Sequence, residues 1–124
     1  MNLVDSSCWL EFFAGSAVGE LVSEPIENTR QLIVPAIVIY EVFKKLLVEV
    51  GEDNAIMALA HMKQGKVVDL DASIAIQAAR IGIENKLALA DSIIYATASQ
   101  YDCLLWTQDK HFEKMAHVRY FSKS

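Results

Sequence analysis

Short apolar runs recur along the chain, and each is followed by a segment with helical or turn-like patterning. The runs are NLVD, QLIVP, KVVDLD, CLLWT and VRYF. Runs of this length are typical of strands, and a continuously apolar one is typical of a strand covered on both faces. Because parallel strands need crossover connections, which helices usually supply, the alternation favours a parallel sheet. The pattern predicts an α/β fold: a three-layer sandwich with a mostly parallel sheet flanked by helices.

The helical segments carry start and stop signals. Ser6 is expected to cap a first helix that Gly15 ends, and a second helix runs from about Ser16 toward Pro25. Pro35 fits the first turn of a long third helix, where its missing N–H does no harm. The inner face of that helix is predicted to contain Ile39, Val42, Phe43, Leu46 and Val50.

The composition fits one domain spanning residues 1–124. Hydrophobic residues make up 53% of the chain and charged residues 22%, which argues against disorder. The longest apolar stretch, residues 32–40, is far shorter than the roughly 20 residues of a membrane span, and no basic leader precedes an apolar segment. Cys8 and Cys103 lack metal-site spacing and are too few for a disulfide framework. The sequence therefore predicts a cytoplasmic protein with no membrane partner.

The formal net charge of -5 excludes one class of function. A protein that binds nucleic acid passively over its whole surface is usually basic. An enzyme that acts on nucleic acid through bound cations remains compatible with this charge.

One carboxylate stands inside an unusually apolar helical segment, LALADSIIYATA, at residues 87–98. Apolar side chains occupy both sides of this helix, so we expect it to be buried nearly all round. A buried carboxylate is unfavourable unless something compensates its charge. Asp91 is therefore expected to have a partner.

Three further acids lie near predicted junctions between strands and helices. Asp5 closes the first strand, Asp109 follows CLLWT, and Glu41 is near the start of the third helix. Each acid also has a local explanation: Asp5 and Asp109 can cap helices, and Asp91 can interact with a helix dipole. The helical position of Glu41 is that of a surface residue, and Lys45 lies four residues later, where it can pair with Glu41. The carboxyl edge of a parallel sheet can nevertheless bring such junctions together.

Convergence of these acids would require a cation. Two carboxylates 4 Å apart repel by about 4 kcal/mol at an effective dielectric constant near 20. Mg²⁺ suits such a site because it binds a few carboxylates, keeps several waters and bridges to phosphate oxygens. The predicted chemistry is metal-assisted hydrolysis of a phosphodiester.

Four segments of the chain resemble, in order and spacing, the motifs of the PIN-domain family, especially its VapC-type toxins. They are LVDSSCW, VPAIVIYEVFKKL, LALADSIIYATA and LLWTQDKHF. The resemblance covers essentially the whole chain and implies a parallel five-stranded sandwich. It also implies a ribonuclease dependent on Mg²⁺ or Mn²⁺, with one or two ions, which forms a homodimer and is inhibited by a small antitoxin.

The resemblance assigns the metal-binding and catalytic roles to Asp5, Glu41, Asp91 and Asp109. Ser6 and Thr107 match hydroxyl positions near these acids. Many relatives carry a further acid two residues after the fourth, where this chain has His111. This departure favours one ion over two. His111 is expected either to contact a substrate phosphate or to be an ordinary exposed histidine.

Four lysines are candidates for contact with the RNA backbone: Lys44, Lys45, Lys110 and Lys114. The alternative for each is an ordinary solvated lysine. A rival function for the whole chain is a catalytically silent PIN-like domain that acts through partner assembly. Metal would not change the thermal stability of such a domain, and added RNA would stay intact. A nuclease would instead cleave the RNA, and chelation of the metal would abolish this cleavage.

Overall fold

Five parallel strands form one sheet with the spatial order β3-β2-β1-β4-β5. The structure is a computed structural model that describes residues 1–123. The strands are β1 Asn2–Val4, β2 Leu32–Pro35, β3 Lys66–Val68, β4 Leu104–Thr107 and β5 Val118–Tyr120. Leu3 pairs with Ile33 on one side and Leu105 on the other. The predicted sheet is confirmed, and all of its pairings are parallel.

Six helices and two short 3₁₀ turns connect the strands. The helices are α1 Ser6–Ala14, α2 Ala17–Glu27, α3 Ala36–Glu49, α4 Glu52–Met62, α5 Ala72–Asn85 and α6 Leu89–Gln100, and the turns are Thr29–Gln31 and Lys110–Phe112. The chain moves outward from β1 to β3 and then returns to β4 beyond β1. Because parallel crossovers are right-handed, this reversal places α5 and α6 on the face opposite α1 to α4. The three-layer sandwich is thereby confirmed.

The reversal of strand order has a consequence for function. Adjacent strands β1 and β4 lead into connections on opposite sides of the sheet, which opens a crevice beyond their carboxyl ends. Asp5 follows β1 directly, and Asp109 lies two residues after β4. Two of the predicted site residues therefore lie at this crevice.

Some predicted helix details are wrong. Asp5, not Ser6, caps α1, and Pro35 is the last residue of β2 rather than part of the first turn of α3. Val50 is 48% exposed, because α3 ends at Glu49 and Val50 is its C-cap residue, so no further helical turn continues the buried stripe of Val38, Val42 and Leu46.

The predicted burial of α6 holds for its middle and not for its start. Ile93, Ile94 and Ala96 are buried, whereas Leu89 in the first turn is 78% exposed. The first turn thus lies at the surface, and Asp91 sits at the boundary between core and solvent. Among the helices of residues 1–123, none is long and apolar enough to cross a membrane.

Candidate active site

Asp5 lies at the junction between β1 and α1 and is almost fully buried. Its Oδ1 accepts hydrogen bonds from the backbone N–H of Cys8 at 3.0 Å and from the Ser7 hydroxyl at 2.9 Å. Its Oδ2 accepts a hydrogen bond from the hydroxyl of Thr107. Burial raises the pKa of Asp5, and these hydrogen bonds partly oppose the shift. Asp5 thus caps α1 and also presents a fixed carboxyl group at the crevice.

Thr107 links the ends of β1 and β4. Its hydroxyl donates to Asp5, and its Oγ1 also accepts the backbone N–H of Asp109 at 2.9 Å. Thr107 itself is fully buried. One side chain thereby fixes the carboxylate of Asp5 and the backbone of Asp109, which follow two neighbouring strands.

The 3₁₀ turn after β4 positions Asp109 and His111. The Asp109 side chain caps this turn, and its Oδ1 accepts the backbone N–H of His111 at 2.8 Å. Nδ1 of His111 lies 3.0 Å from the same oxygen and 3.7 Å from Oδ2 of Asp91. The His111 side chain is 71% exposed, as expected for a surface histidine, but it contacts two of the predicted acids.

Asp91 occupies the first turn of α6, and its side chain is 20% exposed. Burial raises the pKa of Asp91 to about 7, and the hydrogen bond with Asp109 and its negative charge add to the shift. The charge of Glu41 acts in the same direction, and that of His111 opposes it. Carboxyl groups held this close resist simultaneous ionisation, so a cation among them would be stabilised.

Close packing between α5 and α6 fixes the turn that carries Asp91. A Cβ atom at Gly82 would lie only 2.6 Å from the Ser92 Oγ. The Ser92 hydroxyl donates to the carbonyl of Ala88 at 2.8 Å, just before the helix begins. Glycine at residue 82 therefore allows α5 to approach the first turn of α6, which carries Asp91.

Glu41 projects from α3 and is held by Ser6, one of the two hydroxyl residues that the resemblance places near the acids. The Ser6 hydroxyl donates to its Oε1 at 2.5 Å. The predicted pair between Glu41 and Lys45 is wrong, because Lys45 instead lies 3.2 Å from Glu49. The bond from Ser6 ties the start of α1 to α3 and turns Glu41 toward the crevice.

All four predicted acids line one small cavity. The cavity has a volume of about 170 Å³ and is lined by Asp5, Ser6, Ser7, Glu41, Asp91, Ile94, Asp109 and Lys123. The tightest group within the described residues consists of Asp91, Asp109 and His111, whose potential ligand atoms all lie within 4.8 Å of one another. Oxygen donors of this kind suit a hard divalent cation, and the negative charges of Asp109 and Glu41 add to the effect of burial on the pKa of Asp91. These residues therefore fit a metal ion.

A larger groove adjoins the acidic cavity. Its volume is about 920 Å³, and it shares Ser6, Ser7, Glu41 and Lys123 with the cavity. The predicted lysines Lys44 and Lys45 line this groove, whereas Lys110 and Lys114 do not line either space within residues 1–123. The ammonium group of Lys44 also lies over the ring of Tyr40, 5.5 Å from its centroid.

Two polar residues of the cavity escaped prediction from the sequence. Ser7 is one of several hydroxyl residues near the first acid, and only its spacing from Asp5 could have indicated the hydrogen bond. Lys123 lies after β5 in a basic segment, and no local pattern relates that segment to the acids. Its position follows from the parallel pairing of β5 with β4.

Comparison with protein families gives one match that spans nearly all of the chain. The model of the PIN domain matches residues 3–118. The sequence has no significant match among curated proteins.

Solved structures with the same fold come from several bacteria. A toxin-antitoxin complex from Klebsiella pneumoniae matches with a TM-score of 0.83 and 23% identity, over 98% of this chain and 99% of that chain. DNA-bound VapBC from Salmonella typhimurium matches with a TM-score of 0.74 and 16% identity, over 98% of each chain. The sarcin-ricin loop cleaving toxin VapC20 from Mycobacterium tuberculosis matches with a TM-score of 0.74 and 19% identity, over 94% of this chain and 95% of that chain.

Proposed function

The chain belongs to the PIN-domain family, and on this basis we propose that residues 1–124 form one cytoplasmic, divalent-metal-dependent endoribonuclease domain. The observation that carries the proposal is the meeting of Asp5, Glu41, Asp91 and Asp109 around one cavity. These acids come from four separate segments of the chain. Their convergence at the edge of a parallel sheet is typical of a catalytic site.

The four acids have different roles in the proposed reaction. Asp91 and Asp109 hold the cation together with Asp5, and Glu41 either shares the ion or orients the attacking water. When bound, Mg²⁺ or Mn²⁺ lowers the pKa of an attacking water and stabilises charge on the leaving oxygen. Thr107 and Ser6 fix the carboxylates of Asp5 and Glu41 through their hydrogen bonds. Preorganisation of this kind reduces the reorganisation needed during the reaction.

The groove beside the cavity is suited to an RNA backbone. Lys44, Lys45 and Lys123 offset the negative charge of the acids along its walls. Phosphates are attracted by such lysines, so the scissile phosphodiester would be guided from the groove toward the cavity. In the described part of the chain, Lys110 and Lys114 line neither space, so their proposed contact is with RNA that extends beyond the groove.

Removal of the metal tests the proposed activity. We expect the purified protein to cleave single-stranded RNA in Mg²⁺ or Mn²⁺, and we expect excess EDTA to abolish cleavage reversibly. The measurement is the rate of cleavage of a labelled RNA, with an Asp91→Asn preparation as the control for contaminating nucleases. Cleavage that persists in EDTA contradicts the proposal. Intact RNA together with a melting temperature that metal does not change supports the silent binding domain instead.

We further propose that the nuclease is the toxin of a toxin-antitoxin pair. Support comes from the similar structures, which include a toxin-antitoxin complex and DNA-bound VapBC. A mostly apolar cavity of about 610 Å³ shares Leu10 and Glu49 with the groove and also exposes Met57. An apolar antitoxin segment that binds there and continues along the groove would reach the acidic cavity, because the groove adjoins both spaces.

Growth measurements test this toxin role. Expression of the chain alone is expected to arrest growth, because uncontrolled RNA cleavage stops translation. Coexpression of the neighbouring reading frame is expected to restore growth. Equal growth with and without that frame, or no arrest by the chain alone, contradicts the toxin role.

A homodimer is proposed on the face formed by α5 and α6. Several apolar side chains are exposed there, including Ile76 at 60%, Ile83 at 82% and Leu89 at 78%. Exposed apolar side chains grouped in this way are typical of an interaction surface. A second copy of the chain would remove them from water.

Sedimentation of a charged variant tests the dimer. Ile83→Asp is expected to convert a wild-type dimer into a monomer, because the aspartate would lose its hydration in the interface. Val48→Asp puts the same charge at an exposed position of α3 and is expected to remain dimeric. A monomeric wild-type protein, or a dimeric Ile83→Asp variant, contradicts this interface.

A further inference from the structure

His111 contacts the acidic cluster in a way that its exposure does not suggest. Its Nδ1 faces Oδ1 of Asp109 at 3.0 Å and Oδ2 of Asp91 at 3.7 Å. Neighbouring ligands around one octahedral ion, each at about 2.1 Å, are separated by about 3.0 Å. The three atoms are thus spaced closely enough to bind a single ion from adjacent positions.

The backbone at His111 is fixed, although the ring faces solvent. Phe112, the next residue, is fully buried and stacks on Tyr95 with ring centroids 6.1 Å apart. The backbone N–H of His111 is held by the carboxylate of Asp109 at 2.8 Å. A turn anchored on both sides therefore keeps the imidazole near the acids, so little conformational entropy is lost when it binds an ion.

We propose that His111 is a nitrogen ligand of the catalytic cation and makes this site favour divalent transition-metal ions over Mg²⁺. The inference rests on the proposed metal-dependent function. Mg²⁺ binds almost entirely through oxygen and demands near-ideal geometry. Imidazole nitrogen suits transition metals, and affinity at mixed nitrogen and oxygen sites rises from Mn²⁺ to Co²⁺. His111 therefore determines the metal selectivity of the site, and this role is independent of any contact with RNA.

Pulsed electron paramagnetic resonance of bound Mn²⁺ tests the ligand directly. We expect ¹⁴N coupling from one imidazole in the wild-type protein and its loss in His111→Asp and His111→Asn. His117→Asn is the matched control, because His117 is exposed and lies outside the cavity, and its positive φ of 60° is one that asparagine tolerates. This control should retain the coupling.

Metal affinities provide a second readout that does not depend on RNA cleavage. The ratio of the Mg²⁺ dissociation constant to that of Mn²⁺ is expected to fall by about tenfold in His111→Asn, and further for Co²⁺. The ratio is also expected to fall in His111→Asp, because this variant loses the same nitrogen ligand. Its added negative charge strengthens the binding of both ions, and this effect largely cancels in the ratio. Agreement between the two variants separates the nitrogen ligand from the effect of charge.

The outcomes distinguish the inference from the function on which it rests. Mn²⁺ that binds without ¹⁴N coupling, with unchanged affinity ratios in both His111 variants, overturns the role of His111 but leaves a metal-dependent nuclease. Failure of Mn²⁺ and Mg²⁺ to bind at all, or equal binding to Asp91→Asn, overturns the proposed metal-dependent function as well.

Discussion

Asp91→Asn is expected to slow RNA cleavage by about a thousandfold while leaving the protein folded. Loss of one charged ligand removes several kcal/mol of charge stabilisation, and about 4 kcal/mol corresponds to this factor. The raised pKa of Asp91 means that the folded protein disfavours the charged carboxylate. A neutral amide of nearly the same shape should therefore not reduce the free energy of unfolding. Single-turnover cleavage and denaturant unfolding measure the two effects.

Asp53→Asn provides the matched control for this variant. Asp53 also lies in the first turn of a helix, but it is exposed and outside the acidic cavity. Its replacement is expected to leave the cleavage rate unchanged. Comparable cleavage by the wild-type protein and Asp91→Asn would show that Asp91 has no role in the reaction.

Two substitutions of Asp5 are expected to separate its structural role from its catalytic role. Asp5→Asn should reduce cleavage about a thousandfold, because the metal loses a charged ligand. Asparagine is a good helix cap, and its side-chain oxygen can still accept the N–H of Cys8, so stability should stay within about 1 kcal/mol. Asp5→Ala should lose activity and also about 2 kcal/mol of stability, because it removes the cap and the partner of Thr107.

Asp71 supplies the control for the capping role. It caps α5 by accepting the N–H of Ile74 at 2.9 Å, without contributing to the acidic cavity. Asp71→Ala is expected to cost about 1 kcal/mol of stability and no activity. If Asp5→Asn retains wild-type cleavage, Asp5 acts only as a helix cap.

The fold was largely predictable because local patterns and simple topological rules act in the same direction. Short apolar runs such as QLIVP and CLLWT became strands, and the intervening segments became helices. The carboxyl ends of parallel strands share one edge, so the positions of Asp5 and Asp109 followed from the predicted sheet. Helix caps were less certain, because Asp5 and Ser6 both suit the start of α1.

Parts of the candidate site depend on contacts that local patterns do not contain. Periodicity along α3 gave Glu41 a surface role, whereas its hydrogen bond comes from Ser6, 35 residues away. The resemblance to a known family supplied the assignment that the helical pattern lacked. His111 is exposed, as expected, but only the geometry of the 3₁₀ turn brings its ring to Asp91 and Asp109.

Diffraction from crystals grown with Mn²⁺ tests most directly whether the convergent acids form a metal site. We expect an anomalous peak within about 2.5 Å of carboxylate oxygens from both Asp91 and Asp109, in the cavity that Asp5 and Glu41 also line. Ordered carboxylates with no Mn²⁺ among them, at a concentration that supports RNA cleavage, would contradict a metal-dependent active site at this position.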